Sequence, residues 1–464
     1  MLDTVPITAQ KEQLRHKNTF WTVTRTVYIG LIILALLSHL WLIAINADID
    51  SIPPFVWLLR LIPIPFTIIM GKLRKERGFK ILLIYFCWFF LRCYISNPNS
   101  IFSKEVSSSA LSALWLFFTC YGIGHVITGK HMDRCLMICL IIWILGVTAL
   151  CCVGIKAAWT DKTIQMDRNG WIGYYVDPRL NLVYLATTSG AVLGISILMA
   201  TVGMISSKHK LGRLFFLVSI IPVLIALALT DSHTAYICTP VGLGVLIMAM
   251  VVHRRNNSAE GNVPVSKKDW MIGIIACIII SIVVFGIICG ITPAFNTLKL
   301  RGVIPKAYAE GNGKMAVVNR GFNAGLLSGR TDVWKECIEY IKDHPTVFFI
   351  GETKQNPLRG FSDIYGHCHS IYLQVLLESG LPGLLLLILF MIHTGVSSFK
   401  VISSKTQPAW IKMLPAILVY LWLGDSVECF TWLRSSQCPM ITILFVVAGI
   451  INIQRYNLEK DKYL

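Results

Sequence analysis

Apolar runs of about 20 residues recur from one end of this chain to the other, separated mostly by short polar loops. A run of that length crosses a bilayer core about 30 Å thick as an α-helix. Lipid offers the backbone no hydrogen-bond partners, so each crossing segment must satisfy its own N–H and C=O groups. The pattern therefore predicts an all-α polytopic membrane protein. Of 464 residues, 55% are hydrophobic and only 14% charged, with a mean hydropathy of +0.64. Soluble domains carry about 25% charged residues. The spacing predicts about 12 transmembrane helices, near residues 27–45, 54–70, 80–96, 109–128, 135–155, 182–204, 214–230, 235–252, 270–292, 381–398, 413–424 and 438–453. The chain then divides into helices 1–9 (residues 1–292), one long extracytoplasmic loop containing short helices (293–379), and helices 10–12 (380–464).

A net charge of +17 would suit a nucleic-acid partner in a soluble protein. Here the charge follows topology. Five loops (72–80, 130–134, 208–213, 254–268 and 400–412) hold 17 Lys and Arg against 3 Asp and Glu. The alternate short loops (46–53, 96–107, 156–181 and 425–437) hold 6 against 8. Basic loops stay in the cytoplasm. Both termini are thus expected inside, with 156–181 and 293–379 outside, and no nucleic acid is implied. The first 18 residues are polar and no small-residue cleavage site follows the first apolar run, so no cleavable signal peptide is expected. Most of the 14 cysteines lie within apolar runs, where a thiol acts as a small hydrophobe. Cys337, Cys368, Cys429 and Cys438 fall in or beside predicted outer loops, with no zinc-like spacing and no pairing evident from sequence.

The long polar segment has order of its own. Over residues 331–343, Val333, Cys337 and Ile341 share one helical stripe, with Trp334 and Ile338 beside it. Asp332 suits the positive end of that helix and Pro345 stops it. A second helix is expected over 369–379, capped by Gly380, with Pro382 preventing its extension.

His369 is the first candidate for chemistry, because an imidazole can accept a proton near neutral pH. Taken alone, it reads more readily as an interfacial histidine bonded to backbone or water; the attached Gly380 and Gly383 pattern reverses that preference. His367, Cys368 and His369 do not suggest a metal site, since residues at i and i+2 point apart on a helix and no carboxylate pair is near. Arg168, Arg179, Arg301, Arg320, Arg330, Arg359 and Arg434 all fall on the predicted outer side. Such arginines can snorkel to headgroups or grip pyrophosphate with their planar fork. The patch Thr230-Asp231-Ser232-His233-Thr234 joins two spans tightly on the same side.

Four segments resemble the O-antigen ligase and polysaccharide polymerase superfamily. His369-Ser370, nine residues, then Gly380 and Gly383 is similar to its H-[NSQ]-x9-G-x-x-G signature. Gly329-Arg330-Thr331-Asp332-Val333-Trp334 with His344-Pro345 resembles its G-R-x-x-x-W helix start and downstream proline. Arg168-Asn169-Gly170 with Asp177-Pro178 and Asn181 resembles its R-x-x-G…D/N-P-N loop, with Arg179-Leu180 intervening. Trp432-Leu433-Arg434-Ser435 resembles the W-x-R-S of some lipopolysaccharide ligases. One departure stands out: where many members place an arginine after T-x-S or T-x-T, this chain has His233.

The resemblance implies a metal-independent inverting glycosyltransferase of the bacterial cytoplasmic membrane, with no cofactor. Its donor would be an oligosaccharide on undecaprenyl pyrophosphate, and its acceptor a glycan or glycolipid. His369 and Arg330 would be catalytic; Arg168, Arg434, His233 and Arg320 would bind substrate. A surface polysaccharide polymerase is favoured, with an O-antigen ligase acting on lipid A-core as the alternative. Membrane lipids surround the chain, and a chain-length regulator or flippase is a compatible partner. A transporter or flippase is the reading from another class. It lacks the expected hydropathy symmetry between halves and a clear intramembrane charge pair.

Overall fold

The computed structural model describes residues 22–24, 26–31, 34, 54–70, 73–96, 113–126, 129–160, 164–165, 171–174, 179–182, 186–258, 266–300, 330–352, 368–429, 431 and 439–460. The described helices are α1 (Pro54–Leu61), α2 (Pro63–Met70), α3 (Arg77–Ser96), α4 (Ile123–Val126), α5 (Gly129–Thr160), α6 (Ala186–Ser206), α7 (Lys210–Leu229), α8 (His233–Ser258), α9 (Lys267–Leu300), α10 (Arg330–Asp343), α11 (Pro345–Ile350), α12 (Ile371–Ser403), α13 (Ala409–Met413), α14 (Pro415–Asp425) and α15 (Pro439–Lys460).

Among the described residues, seven helices are long and apolar enough to cross a membrane. They lie in α5, α6, α7, α8, α9, α12 and α15. The chain is an integral membrane protein built almost wholly of helices. Among the described residues these seven stand against an expected count of about 12, for local reasons. Residues 54–70 are cut into two eight-residue helices, because Pro63 has no N–H to continue α1 and instead opens α2. The span near 109–128 is described only in part, as a π-helical turn over Trp115–Cys120 followed by α4. The span near 413–424 is the short α14, 11 residues long, which Pro415 opens directly after α13. The span near 27–45 lies mostly outside the described residues.

Burial orders the bundle. In α6, 72% of the spanning window is buried, against 11% in α9, so α6 is central and α9 meets lipid. Close backbone approach holds the centre. A Cβ on Gly194 of α6 would lie 2.4 Å from Tyr420 Oη of α14 and 2.5 Å from Thr239 Oγ1 of α8. Tyr420 Oη in turn donates to the Ala191 carbonyl at 3.3 Å. Small residues at crossings and interhelical hydrogen bonds drive association where lipid removes the hydrophobic gain.

One element departs from an all-α reading. Three short strands form an antiparallel sheet: β1 (Ile164–Gln165), β2 (Trp171–Tyr174) and β3 (Leu180–Leu182). Its register pairs Ile172 with Leu182 and Tyr174 with Leu180. Ile172, Leu180 and Leu182 are buried in one cluster with Cys151, Ala157 and Ala158 of α5. The Leu182 N–H donates to Ser189 Oγ of α6 at 3.0 Å. The loop is thereby fastened to the ends of two spanning helices.

The helices of the long polar segment dock on the same bundle. Val333, Cys337 and Ile341 are buried on one face of α10, as their spacing predicts. Pro345 stands at the start of α11. Helix α12 is continuous except at Gly380, whose φ of 63° and ψ of −171° break it. There α11 and α12 touch backbone to backbone. A Cβ on Gly380 would lie 2.6 Å from the Phe349 carbonyl oxygen, and one on Gly351 would lie 2.5 Å from that of Glu378. From α3, Trp88 Nε1 donates to the Ser379 carbonyl at 2.7 Å, and Arg92 donates to the Glu352 carbonyl. The kink is thus held by α3 and α11 at once.

Candidate active site

Arg330 is the first residue of α10 and is 8% exposed. His369 lies two residues before α12, in a left-handed conformation with φ of 50°. Such a φ is uncommon for a residue with a Cβ and persists only where the surroundings enforce it. Those surroundings are visible. Trp334, one turn after Arg330, donates from Nε1 to the Cys368 carbonyl at 3.0 Å. The Cys368 N–H donates to Gln374 Oε1 at 3.0 Å, and Gln374 Nε2 donates to Glu378 Oε1 at 3.1 Å. The arginine–tryptophan spacing of one motif and the histidine of the other therefore belong to one structure. Arg330 and Trp334 lie on the same side of α10, and the residue before His369 is pinned to it.

The group that unites them is Glu428, three residues beyond α14. Arg330 Nη2 pairs with Glu428 Oε1. His369 Nδ1 lies 3.0 Å from Glu428 Oε2. Glu428 is 4% exposed. Burial alone would raise its pKa; the His369 hydrogen bond and the Arg330 charge outweigh that and hold it below the usual carboxylate range. The carboxylate is thus ionised and accepting, so His369 donates from Nδ1, and Nε2 is left as the basic nitrogen. Arg330 Nε is buried and takes no hydrogen bond among the described residues. A buried guanidinium with a spare donor beside an oriented imidazole can bind an anion and accept a proton at adjacent positions.

No motif in the sequence marks Glu428. Its signal is faint: a carboxylate in a short loop, one of two in residues 425–437. Around it, Asp425 accepts from Thr431 N–H at 3.0 Å and Thr431 Oγ1 at 2.6 Å. That closes the chain after α14 and sets the position of Glu428. Also unforeseen was Glu352, buried, whose carboxylate accepts from Tyr340 of α10. Burial and then Glu352 push the Tyr340 phenol up to about 12, so it stays a donor.

The other expected site residues are placed as follows. His233 opens α8, with Nε2 3.8 Å from Asp231 Oδ1. Asp231 has a φ of 47°, the second left-handed position with a side chain among the described residues. Arg168, Arg320 and Arg434 lie outside the described residues. So do His367 and the Trp432-Leu433-Arg434-Ser435 segment.

No curated protein matches the chain. Residues 218–388 match the model of a family described as O-antigen ligase. The match runs from α7 into α12, so it takes in His233, Arg330 and His369 and ends before Glu428. Together with the motifs on Arg330 and His369, this match supports placing the chain in the O-antigen ligase and polysaccharide polymerase superfamily.

Proposed function

We propose that this chain is a membrane glycosyltransferase that polymerises lipid-linked glycan at the outer face of the bacterial cytoplasmic membrane. The observation that carries the reading is the single carboxylate, Glu428, bonded on one oxygen to Arg330 and on the other to His369. The donor is a glycan on undecaprenyl pyrophosphate, whose lipid lies in the bilayer and whose sugar stands at its surface.

In this reading His369 Nε2 takes the proton of the acceptor hydroxyl as that oxygen attacks the anomeric carbon. The carbon–oxygen bond to pyrophosphate breaks, the new glycosidic bond forms with inversion, and the electron pair leaves on the diphosphate. Arg330 stabilises that growing charge, with Arg168 or Arg434 as further cations and His233 and Arg320 at the donor. Glu428 orients His369 and stabilises the imidazolium that forms. The route calls on no nucleotide and no metal. Both termini are cytoplasmic, from the basic-loop asymmetry.

The test is turnover by the purified protein with undecaprenyl-pyrophosphate-linked repeat units, with and without lipid A-core, and no ion gradient. Elongation of lipid-linked repeats supports a polymerase. Transfer only to lipid A-core supports a ligase, the alternative that the Trp432-Leu433-Arg434-Ser435 segment favours. Movement of the glycolipid across vesicles without any new glycosidic bond defeats both.

A further inference from the structure

Two thiols lie beside this site. Cys337, in the middle of α10, and Cys368, next to His369, stand with their sulfurs 3.8 Å apart. Both residues are fully buried, in a small apolar cluster with Ile341, Val347 and Leu377. In the structure both thiols are free and in contact; a disulfide would bring their sulfurs to about 2.05 Å. The backbone on either side is already fixed. Cys337 is within a helix, and Cys368 is held through both its carbonyl and its N–H.

We propose that Cys337 and Cys368 are joined by a disulfide that locks α10, and with it Arg330, to the residue preceding His369. The proposal rests on the reading that residues 293–379 face outward, since disulfides persist on the oxidising side of a bacterial membrane. The two thiols lose two protons and two electrons. A disulfide oxidant, protein or small molecule, accepts them and is cleaved to two thiols.

Other uses of the pair fit poorly. Both sulfurs are buried among apolar side chains, away from any substrate that a nucleophilic thiol would attack. Among the described residues, no group of three His, Cys, Asp or Glu could hold a metal ion. The third thiol nearby, Cys429, is held by the backbone of Ser370. The bond also closes a chain segment whose ends are 31 residues apart. Such a closure restricts the unfolded chain and fixes the strained His369 backbone in the folded one.

The test is peptide mapping of full-length protein purified without reductant, denatured in N-ethylmaleimide and digested. The expected result is one linked peptide containing Cys337 and Cys368, which reduction splits. Reductant should also lower the thermal midpoint of the wild type by several degrees and leave a Cys337→Ala/Cys368→Ala double variant unmoved. In parallel, an Asn312→Cys probe in a background without other cysteines is labelled from outside the cell. If both thiols are alkylated without reduction while the probe labels from outside, the disulfide is wrong and the topology stands. If they are alkylated and the probe is shielded, the outward reading fails and the disulfide with it. A Cys368–Cys429 linkage overturns the pairing.

Discussion

Glu428 accepts a hydrogen bond from His369 Nδ1 at 3.0 Å while its other oxygen pairs with Arg330. One buried carboxylate thus sets both the tautomer of the imidazole and the position of the guanidinium. Glu428→Gln keeps the shape and removes the charge. It is expected to lower transfer at least about 10–100-fold, the effect of removing a carboxylate that orients a metal-bound histidine. Glu428→Ala goes further: it leaves Arg330 buried without its counter-charge, a loss of about 3–5 kcal/mol. Turnover of the Gln variant and thermal midpoints of both variants check this. A Gln variant with unchanged kcat sinks the orienting role.

The same carboxylate sets a pH dependence. Its folded pKa lies below the ordinary value of 4.5. Its contribution to stability is therefore fully present above pH 4.5 and fades as pH falls through the lowered folded value. The gap in thermal midpoint between wild type and Glu428→Gln should shrink on acidification below pH 4.5. A gap that widens there contradicts the sign.

His369 itself should contribute about 10²–10⁴-fold in rate as general base. His369→Ala is expected to remove most transfer while the protein stays in the membrane at normal levels. His367→Ala, outside the motif, should be milder. A loss of activity matched by a loss of protein would instead mark His369 as an anchor for its loop.

How much of this was legible in the sequence follows from the range of each signal. Helix α10 was, because Val333, Cys337 and Ile341 repeat at helical spacing within 14 residues. The kink at Gly380 was, because glycine followed by a near proline ends a helix locally. Arg330 and His369 were singled out by motif, yet nothing placed them together. Their common partner is 98 residues from one and 59 from the other, and no local pattern spans that distance. The sheet was missed because strands of two to four residues are too short to show alternation. The break before Pro63 was missed because hydropathy averaging smooths over a single absent N–H.

Arg330→Ala should impair transfer more than Arg359→Ala. Arg330 heads α10 and pairs with Glu428, whereas Arg359 lies outside the described residues and matches no motif. Lys at position 330 should rescue in part, since it restores charge without the planar fork. Full turnover in Arg330→Ala would remove this residue from the site.

Gly380 tests whether the kink beneath His369 matters. Alanine there meets two obstacles. The φ of 63° disfavours any Cβ, at roughly 1 kcal/mol or more. That Cβ would also lie 2.6 Å from the Phe349 carbonyl oxygen, so α11 must move away. Moving α11 loosens Glu352, whose N–H donates to the Leu377 carbonyl of α12 and whose carbonyl accepts from Arg92 of α3. The displacement reaches His369 through Glu378 and Gln374, which fix Cys368. Gly380→Ala should therefore lower both thermal midpoint and transfer. A Cβ on Gly395, in the same helix, would meet nothing within 4 Å, so Gly395→Ala should be neutral or slightly stabilising. Equal behaviour of the two variants would show that the kink does not shape the site.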